Sequence, residues 1–183
     1  MPIDVLLLTS GGIDSTALLD FYLRRKVNLH CVHFQYGQSN AESERVALEN
    51  VTRHYGLAAK VITLDWSMAR RRSEILCRNS LFVLAAASLG FVPAEISLGI
   101  HSDSPYYDCS QQFVMDSQRL LDGYFSGSVR LETPLIEFTK SDIVIYCKQN
   151  DVPVDLTYSC QIQNNPPCGS CQSCIDRRLL VGT

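Results

Sequence analysis

Along this chain, short runs of consecutive apolar residues alternate with stretches in which apolar positions recur every three or four residues. The runs at 5–8, 27–34, 59–64, 95–99 and 129–132 are rich in Val, Ile and Leu and short enough to be strands. Several show no polar alternation, which predicts strands covered on both faces. The stretches at 13–25, 40–55, 79–89, 111–124 and 140–150 carry helical spacing. Leu18, Leu19, Tyr22 and Leu23 recur as one helix face laid on a sheet would. Strand–helix alternation predicts an α/β fold, a parallel sheet flanked by helices. Residues 65–74 have no periodicity and are predicted to be a loop. From Thr157 onward, cysteine, glycine, proline and amide residues replace the pattern, and Pro166, Pro167 and Gly169 exclude a regular helix over 161–170. The chain is therefore expected to divide into an α/β domain at 1–156 and a small C-terminal segment at 157–183, too poor in apolar residues to hold itself together.

Composition sharpens this picture only slightly. A chain of 183 residues is long enough for one domain with a sizeable core. Its net charge of -3 argues against a dedicated nucleic-acid or anionic-membrane binder, so no stable nucleic-acid binding is expected. Arg70-Arg71-Arg72 is a short basic run, read as a solvated loop or helix end. No stretch approaches the roughly 20 apolar residues that span a bilayer. The first apolar run lacks a basic flank and reads as a core strand rather than a signal peptide. The eight cysteines are then expected in a reducing, cytoplasmic setting, where metal binding explains them better than disulfides.

The densest chemistry is Ser10-Gly11-Gly12-Ile13-Asp14-Ser15-Thr16, directly after the first strand and opening the first helix. Free N–H groups and the positive dipole end at a helix start attract phosphate. Gly11 and Gly12 let the backbone approach an anion closely. Ser10, Ser15 and Thr16 supply hydroxyls, and Asp14 is placed to orient the loop or hold a Mg²⁺ ion. A plain strand-to-helix turn would not need two glycines, three hydroxyls and an acid within seven residues. The loop lacks both the lysine of GxxxxGK[ST] and the spacing of GxGxxG, which excludes those two nucleotide sites.

A second constellation, Cys160, Cys168, Cys171 and Cys174, has the spacing C-x7-C-x2-C-x2-C. Close CxxC pairs bring thiolates around one tetrahedral ion, and four of them leave no open position, so a Zn²⁺ ion here is structural. An iron–sulfur cluster is also held by four thiolates and remains an alternative, as does a redox CxxC. Cys31 and Cys147 read as small core hydrophobes.

The SGGxDS loop resembles the PP-loop of the ATP pyrophosphatases, whose fold is of the Rossmann-like HUP type. That resemblance implies cleavage of ATP between its α- and β-phosphates and transfer of AMP to a substrate oxygen. With the cysteines, further matches resemble the 7-cyano-7-deazaguanine synthase family of queuosine biosynthesis. They are Phe34-Gln35-Tyr36-Gly37-Gln38; Arg78-Asn79; Gly99, His101, Asp103, Tyr107, Asp108 and Cys109; Glu132-Thr133-Pro134-Leu135 with Lys140; and Thr157, Ser159 and Cys160. The family implies an ATP-dependent C–N ligase acting on 7-carboxy-7-deazaguanine and ammonia, through an adenylate to the amide and then the nitrile, with Mg²⁺ and a structural Zn²⁺. Carried onto this sequence, Asp14, Lys140, Asp103 and Arg78 would be catalytic, Lys140 on phosphate charge and Arg78 near the carboxylate. Ser10, Gly11, Gly12, Asp14, Ser15, Thr16, Phe34, Tyr36, Gln38 and Gly99 would bind the nucleotide, with Phe34 and Tyr36 stacking on a purine. Asp103 and Asp108 would contact base or metal, and a homodimer is expected. The stretch from the third strand to Arg78 is shorter than in that family. This raises a second reading, in which the acid is joined to an amine of a protein or nucleic-acid partner. A third reading is a tRNA-thiolating PP-loop enzyme, and a fourth a non-catalytic nucleotide sensor.

Overall fold

The computed structural model describes residues 2–64, 75–90, 93–162 and 165–182, apart from the side chain of Leu180. The predicted loop at 65–74, with its arginine triplet, lies outside the described residues. Five strands alternate with helices in chain order: β1 Asp4–Leu8, α1 Ile13–Arg24, β2 Asn28–Gln35, α2 Ala41–His54, β3 Ala59–Thr63, α3 Arg78–Ala87, β4 Glu95–Leu98, α4 Gln111–Phe125, β5 Arg130–Glu132 and α5 Lys140–Gln149. All strand pairs are parallel, in the order β3-β2-β1-β4-β5. The α/β expectation therefore holds, and element ends differ from the expected ones by two residues at most.

The absence of polar alternation in β1 has a simple cause. Val5 and Leu7 face one core with α1 and α5, while Leu6 and Leu8 face a second core with α3 and α4. Cys31 joins the first core and Val32 and Phe34 the second, so β2 is also covered on both faces. Each fully buried aliphatic side chain contributes roughly 1.5–3 kcal/mol relative to exposure, which makes this central pair of strands the fixed point of the fold.

The order reverses at β1: β2 and β3 lie on one side of it, β4 and β5 on the other. Parallel sheets open a crevice beyond the carboxyl ends of the strands at such a reversal, and ligands bind there. Here it falls between the loop after β1 and the loop after β4.

One helix escapes the sequence pattern. Beyond the proline-rich stretch, α6 spans Gln172–Val181. Cys171 is its N-cap, so the last CxxC opens this helix. The helix is tied back by Arg177, whose Nη1 donates to Thr157 Oγ1 at 2.8 Å and whose Nη2 donates to the Val154 carbonyl at 3.0 Å.

Candidate active site and metal centre

The glycine loop turns from β1 into α1 with Gly12 as N-cap, and no side chain caps that helix. Three other helix starts are closed by side chains, whereas α2 and α6 are not. Ser110 caps α4, Thr139 and Asp142 form a capping box on α5, and Asp108 Oδ2 accepts from Asn79 N at the start of α3. The uncapped first-turn donors of α1 thus remain for an anion. The loop hydroxyls shape it from within. Ser15 Oγ and Thr16 Oγ1 donate to the Gly12 carbonyl at 3.1 and 2.8 Å, and Ser10 Oγ lies 3.1 Å from Ser15 Oγ.

The two loop glycines do different work. Gly11 adopts φ +76°, and a Cβ there would lie 2.7 Å from Leu48 N and 2.9 Å from the Glu44 carbonyl. It lets the loop pack against the backbone of α2. A Cβ on Gly12 would meet only Ser10 Oγ at 3.3 Å and the Tyr158 carbonyl at 3.6 Å. Gly99 likewise gives room: a Cβ would press on Asp14 C and O at 3.3 Å, so its absence seats the first turn of α1 against the end of β4.

Across the reversal, Lys140 Nζ donates to Asp14 Oδ2 at 2.5 Å and lies 3.4 Å from His101 Nε2. Asp14 and Lys140 side chains are each 24% exposed, enough to meet a ligand while partly shielded from water. Asp103 Oδ2 accepts from Lys140 N at 2.7 Å, which places it at the start of α5 as a cap. Three predicted residues, Asp14, Asp103 and Lys140, therefore converge with His101, to which the sequence assigned no role. Two buried polar atoms of this cluster, Asp14 Oδ1 and His101 Nδ1, have no hydrogen-bond partner among the described residues.

A second group sits at the end of β2. Tyr36 OH accepts from Arg78 Nη1 at 3.4 Å, and Gln38 Oε1 accepts from Tyr36 N at 2.9 Å. Glu44 lies behind them, accepting from Gln38 Nε2 at 2.8 Å and Asn40 Nδ2 at 2.9 Å. Burial raises the Glu44 pKa above the usual carboxylate range. Phe34 is only 5% exposed and stacks on Phe82 with 5.0 Å between centroids, so its ring belongs to the second core. Asp108 is likewise engaged locally, its carboxylate on Asn79 N and its carbonyl on Asn79 Nδ2. Glu44 and Asn40 were missed by the sequence reading because nothing near them in sequence marks them as buried.

The four cysteines of the C-terminal segment gather as their spacing predicts. Their sulfurs all lie within 4.8 Å of one another, with Cys168 Sγ 3.9 Å from Cys174 Sγ. Backbone N–H groups of Ser170 and Cys171 pull the Cys168 thiol down to about 6, while burial pushes Cys174 up to about 12. Thiolates held this close together repel one another, a conflict that a cation at the centre relieves. The donor set therefore fits a metal ion. The cluster is also joined to the glycine loop. Asn40 Nδ2 donates to the Cys160 carbonyl at 2.7 Å as well as to Glu44, and Tyr158 N donates to the Gly11 carbonyl at 3.0 Å.

A five-stranded parallel sheet flanked by helices, with this glycine loop at its reversal, defines an α/β fold of the PP-loop type. The fold is shared with the U34-tRNA thiolase NcsA from Methanococcus maripaludis, solved with its [4Fe-4S] cluster, at a TM-score of 0.56 over 98% of this chain and 64% of that one, with 15% identity. The chain belongs to the QueC family: the family model described as "Queuosine biosynthesis protein QueC" matches residues 4–76 and 71–179. Similar curated proteins bear the name 7-cyano-7-deazaguanine synthase. That of Prochlorococcus marinus (strain AS9601) is 27% identical over 201 residues, covering 93% of this chain and 89% of its own. That of Aquifex aeolicus (strain VF5) is 27% identical over 207 residues, covering 94% of each. Among the described residues, no helix is long and apolar enough to cross a membrane.

Proposed function

We propose that this chain uses ATP to adenylate 7-carboxy-7-deazaguanine and then delivers the activated acid to ammonia. The observation that carries the reading is the Asp14–Lys140 pair standing at the uncapped start of α1. A carboxylate oxygen attacks the α-phosphorus, and the bond to the bridging oxygen breaks as pyrophosphate leaves. Ammonia then attacks the acyl carbon, AMP departs, and the amide forms. The amide oxygen then attacks the α-phosphorus of a second ATP, releasing a second pyrophosphate, and loss of AMP and both nitrogen-bound protons gives the nitrile.

In each step the protein's part is to position groups and stabilise charge. First-turn N–H groups of α1 hold the departing phosphates. Lys140, held by Asp14, keeps one hydrogen for a phosphate oxygen. Asp103 holds the backbone from which Lys140 projects. Arg78, braced on Tyr36, is the cation for the substrate carboxylate. A Mg²⁺ ion, when bound, draws off phosphate charge, and Asp14 Oδ1, buried without a partner among the described residues, is the atom that would hold it.

The same reading takes the metal of Cys160, Cys168, Cys171 and Cys174 to be zinc. A tetrahedron with Zn–S near 2.3 Å spaces its sulfurs by about 3.8 Å. The observed grouping within 4.8 Å is close to this, whereas an iron–sulfur cluster holds its thiolates around a body of several atoms. Beyond the shortened stretch before Arg78, nothing among the described residues favours the macromolecular-amine reading or the thiolation reading.

The test is incubation with ATP, Mg²⁺, ammonia and 7-carboxy-7-deazaguanine, following AMP and pyrophosphate and identifying the deazapurine by mass spectrometry. Release of both with appearance of amide and nitrile is expected. ATP turnover with another acid but not this one would overturn the substrate; no AMP from any acid would overturn the reaction.

A further inference from the structure

His101 follows β4 into the crevice, with its side chain 16% exposed and its Nε2 3.4 Å from Lys140 Nζ and 3.9 Å from Asp14 Oδ2. An ammonium group offers only hydrogens, so the nitrogen that faces it must present a lone pair. The hydrogen of the neutral ring then sits on Nδ1. The charged groups facing this ring are Lys140 from α5, Asp14 from α1, Asp103 from the loop after β4 and Asp176 from α6. A ring that accepts from an ammonium through Nε2 is in its neutral form. Its Nδ1 is buried and has no acceptor among the described residues. A ring serving only as filler would not be expected to turn a lone pair to the one lysine of the crevice and leave a donor buried and unused.

We propose that His101 is a positioning residue that accepts from Lys140 through Nε2 and donates from Nδ1 to an anionic oxygen of the bound substrate. Resting on the reading above, this oxygen belongs to an ATP phosphate or to the carboxylate of the acid. The two nitrogens can be tested separately. His101→Asn places an amide nitrogen where Nδ1 lies and loses the acceptor for Lys140. His101→Gln places an amide oxygen where Nε2 lies and loses the Nδ1 donor.

Calorimetric titration of each ligand separately, with kcat alongside, reads the two functions. His101→Gln is expected to weaken one ligand by about ten- to a hundredfold, the range for a lost hydrogen bond to a charged group. Loss confined to ATP assigns the phosphate, and loss confined to the acid assigns the carboxylate. His101→Asn is expected to lower kcat more than affinity, because Lys140 loses its guide. Unchanged affinity for both ligands in His101→Gln would overturn the proposal. These binding arms stand even if wild-type protein releases no AMP, so failure of the reaction and failure of the proposal are distinguishable. Should either variant not fold, ¹⁵N spectra of the four histidines in the unaltered chain decide. A His101 Nδ1–H tautomer that shifts with ATP or with the acid supports the proposal, and an Nε2–H tautomer or an unmoved resonance refutes it.

Discussion

Asp14 Oδ2 and Lys140 Nζ lie 2.5 Å apart although 126 residues separate them in the chain. Asp14 enters from the first turn of the helix after β1, Lys140 from the first residue of the helix after β5. Their meeting closes the crevice at the reversal of strand order.

Lys140→Met is expected to lower kcat for AMP release by about a hundredfold or more, the usual loss when one preorganised charge-stabilising donor is removed. The fold should persist, since a partly exposed ion pair contributes only about 1 kcal/mol. Steady-state kinetics beside a thermal melt checks both, and a variant with wild-type kcat would remove Lys140 from the chemistry.

The three site glycines should fail in different ways. Gly11→Ala forces a Cβ within 2.7 Å of the α2 backbone at φ +76°. Left-handed strain of about 1–2 kcal/mol with overpacking of about 1–3 kcal/mol should leave little folded protein. Gly99→Ala, pressing on Asp14 at 3.3 Å, should fold but lose most of its turnover. Gly12→Ala comes just as close, 3.3 Å, but to a serine hydroxyl that can rotate away rather than to backbone, and should melt near the parent. Circular dichroism melts of the three variants, ranked against their kcat values, test this order.

Metal removal should act on the nucleotide loop as well as on the C-terminal segment, because Asn40 spans from the Cys160 carbonyl to Glu44 and Tyr158 N holds the Gly11 carbonyl. Elemental analysis is expected to give one zinc per chain. Chelation or Cys174→Ser should lower the melting temperature and raise the Kd for ATP together. A metal-free protein with unaltered ATP affinity would show the two regions to be independent.

Alkaline pH should destabilise the fold through buried acids. Burial pushes the Tyr22 hydroxyl and the Cys31 and Cys147 thiols up to about 12 from ordinary values of 10.0, 9.0 and 9.0. The folded state keeps their protons where the unfolded chain releases them. Stability is therefore full below pH 9 and falls as pH rises from about 9 toward 12. Urea unfolding across that range should show the loss, and Cys31→Ala should reduce its slope while costing stability at every pH through the lost sulfur packing.

The part of the site legible in the sequence is the part that is local. A strand, two glycines, three hydroxyls and an acid within one turn announce a phosphate loop because helix-start chemistry needs only neighbouring residues. The cysteines were legible for the same reason, since close thiolate pairs constrain one another whatever surrounds them. Helix α6 was not, because its polar face shows little periodicity and its anchors, Arg177 on Thr157 and on the Val154 carbonyl, are tertiary. Phe34 was ambiguous in the sequence, because an aromatic at a strand end serves as a stacking platform or as core, and its partner Phe82 is a tertiary neighbour.

The sequence was enough by itself to determine a parallel α/β sheet, the glycine loop at the start of α1 and a tail whose four cysteines could hold a metal ion. Only the tertiary structure decided which distant groups share the crevice: Lys140 beside Asp14, His101 turned to both, and Glu44 sealed behind Gln38. The reason is that strand order is set by packing of whole elements, and a periodicity within each element carries no record of which neighbour it will lie against.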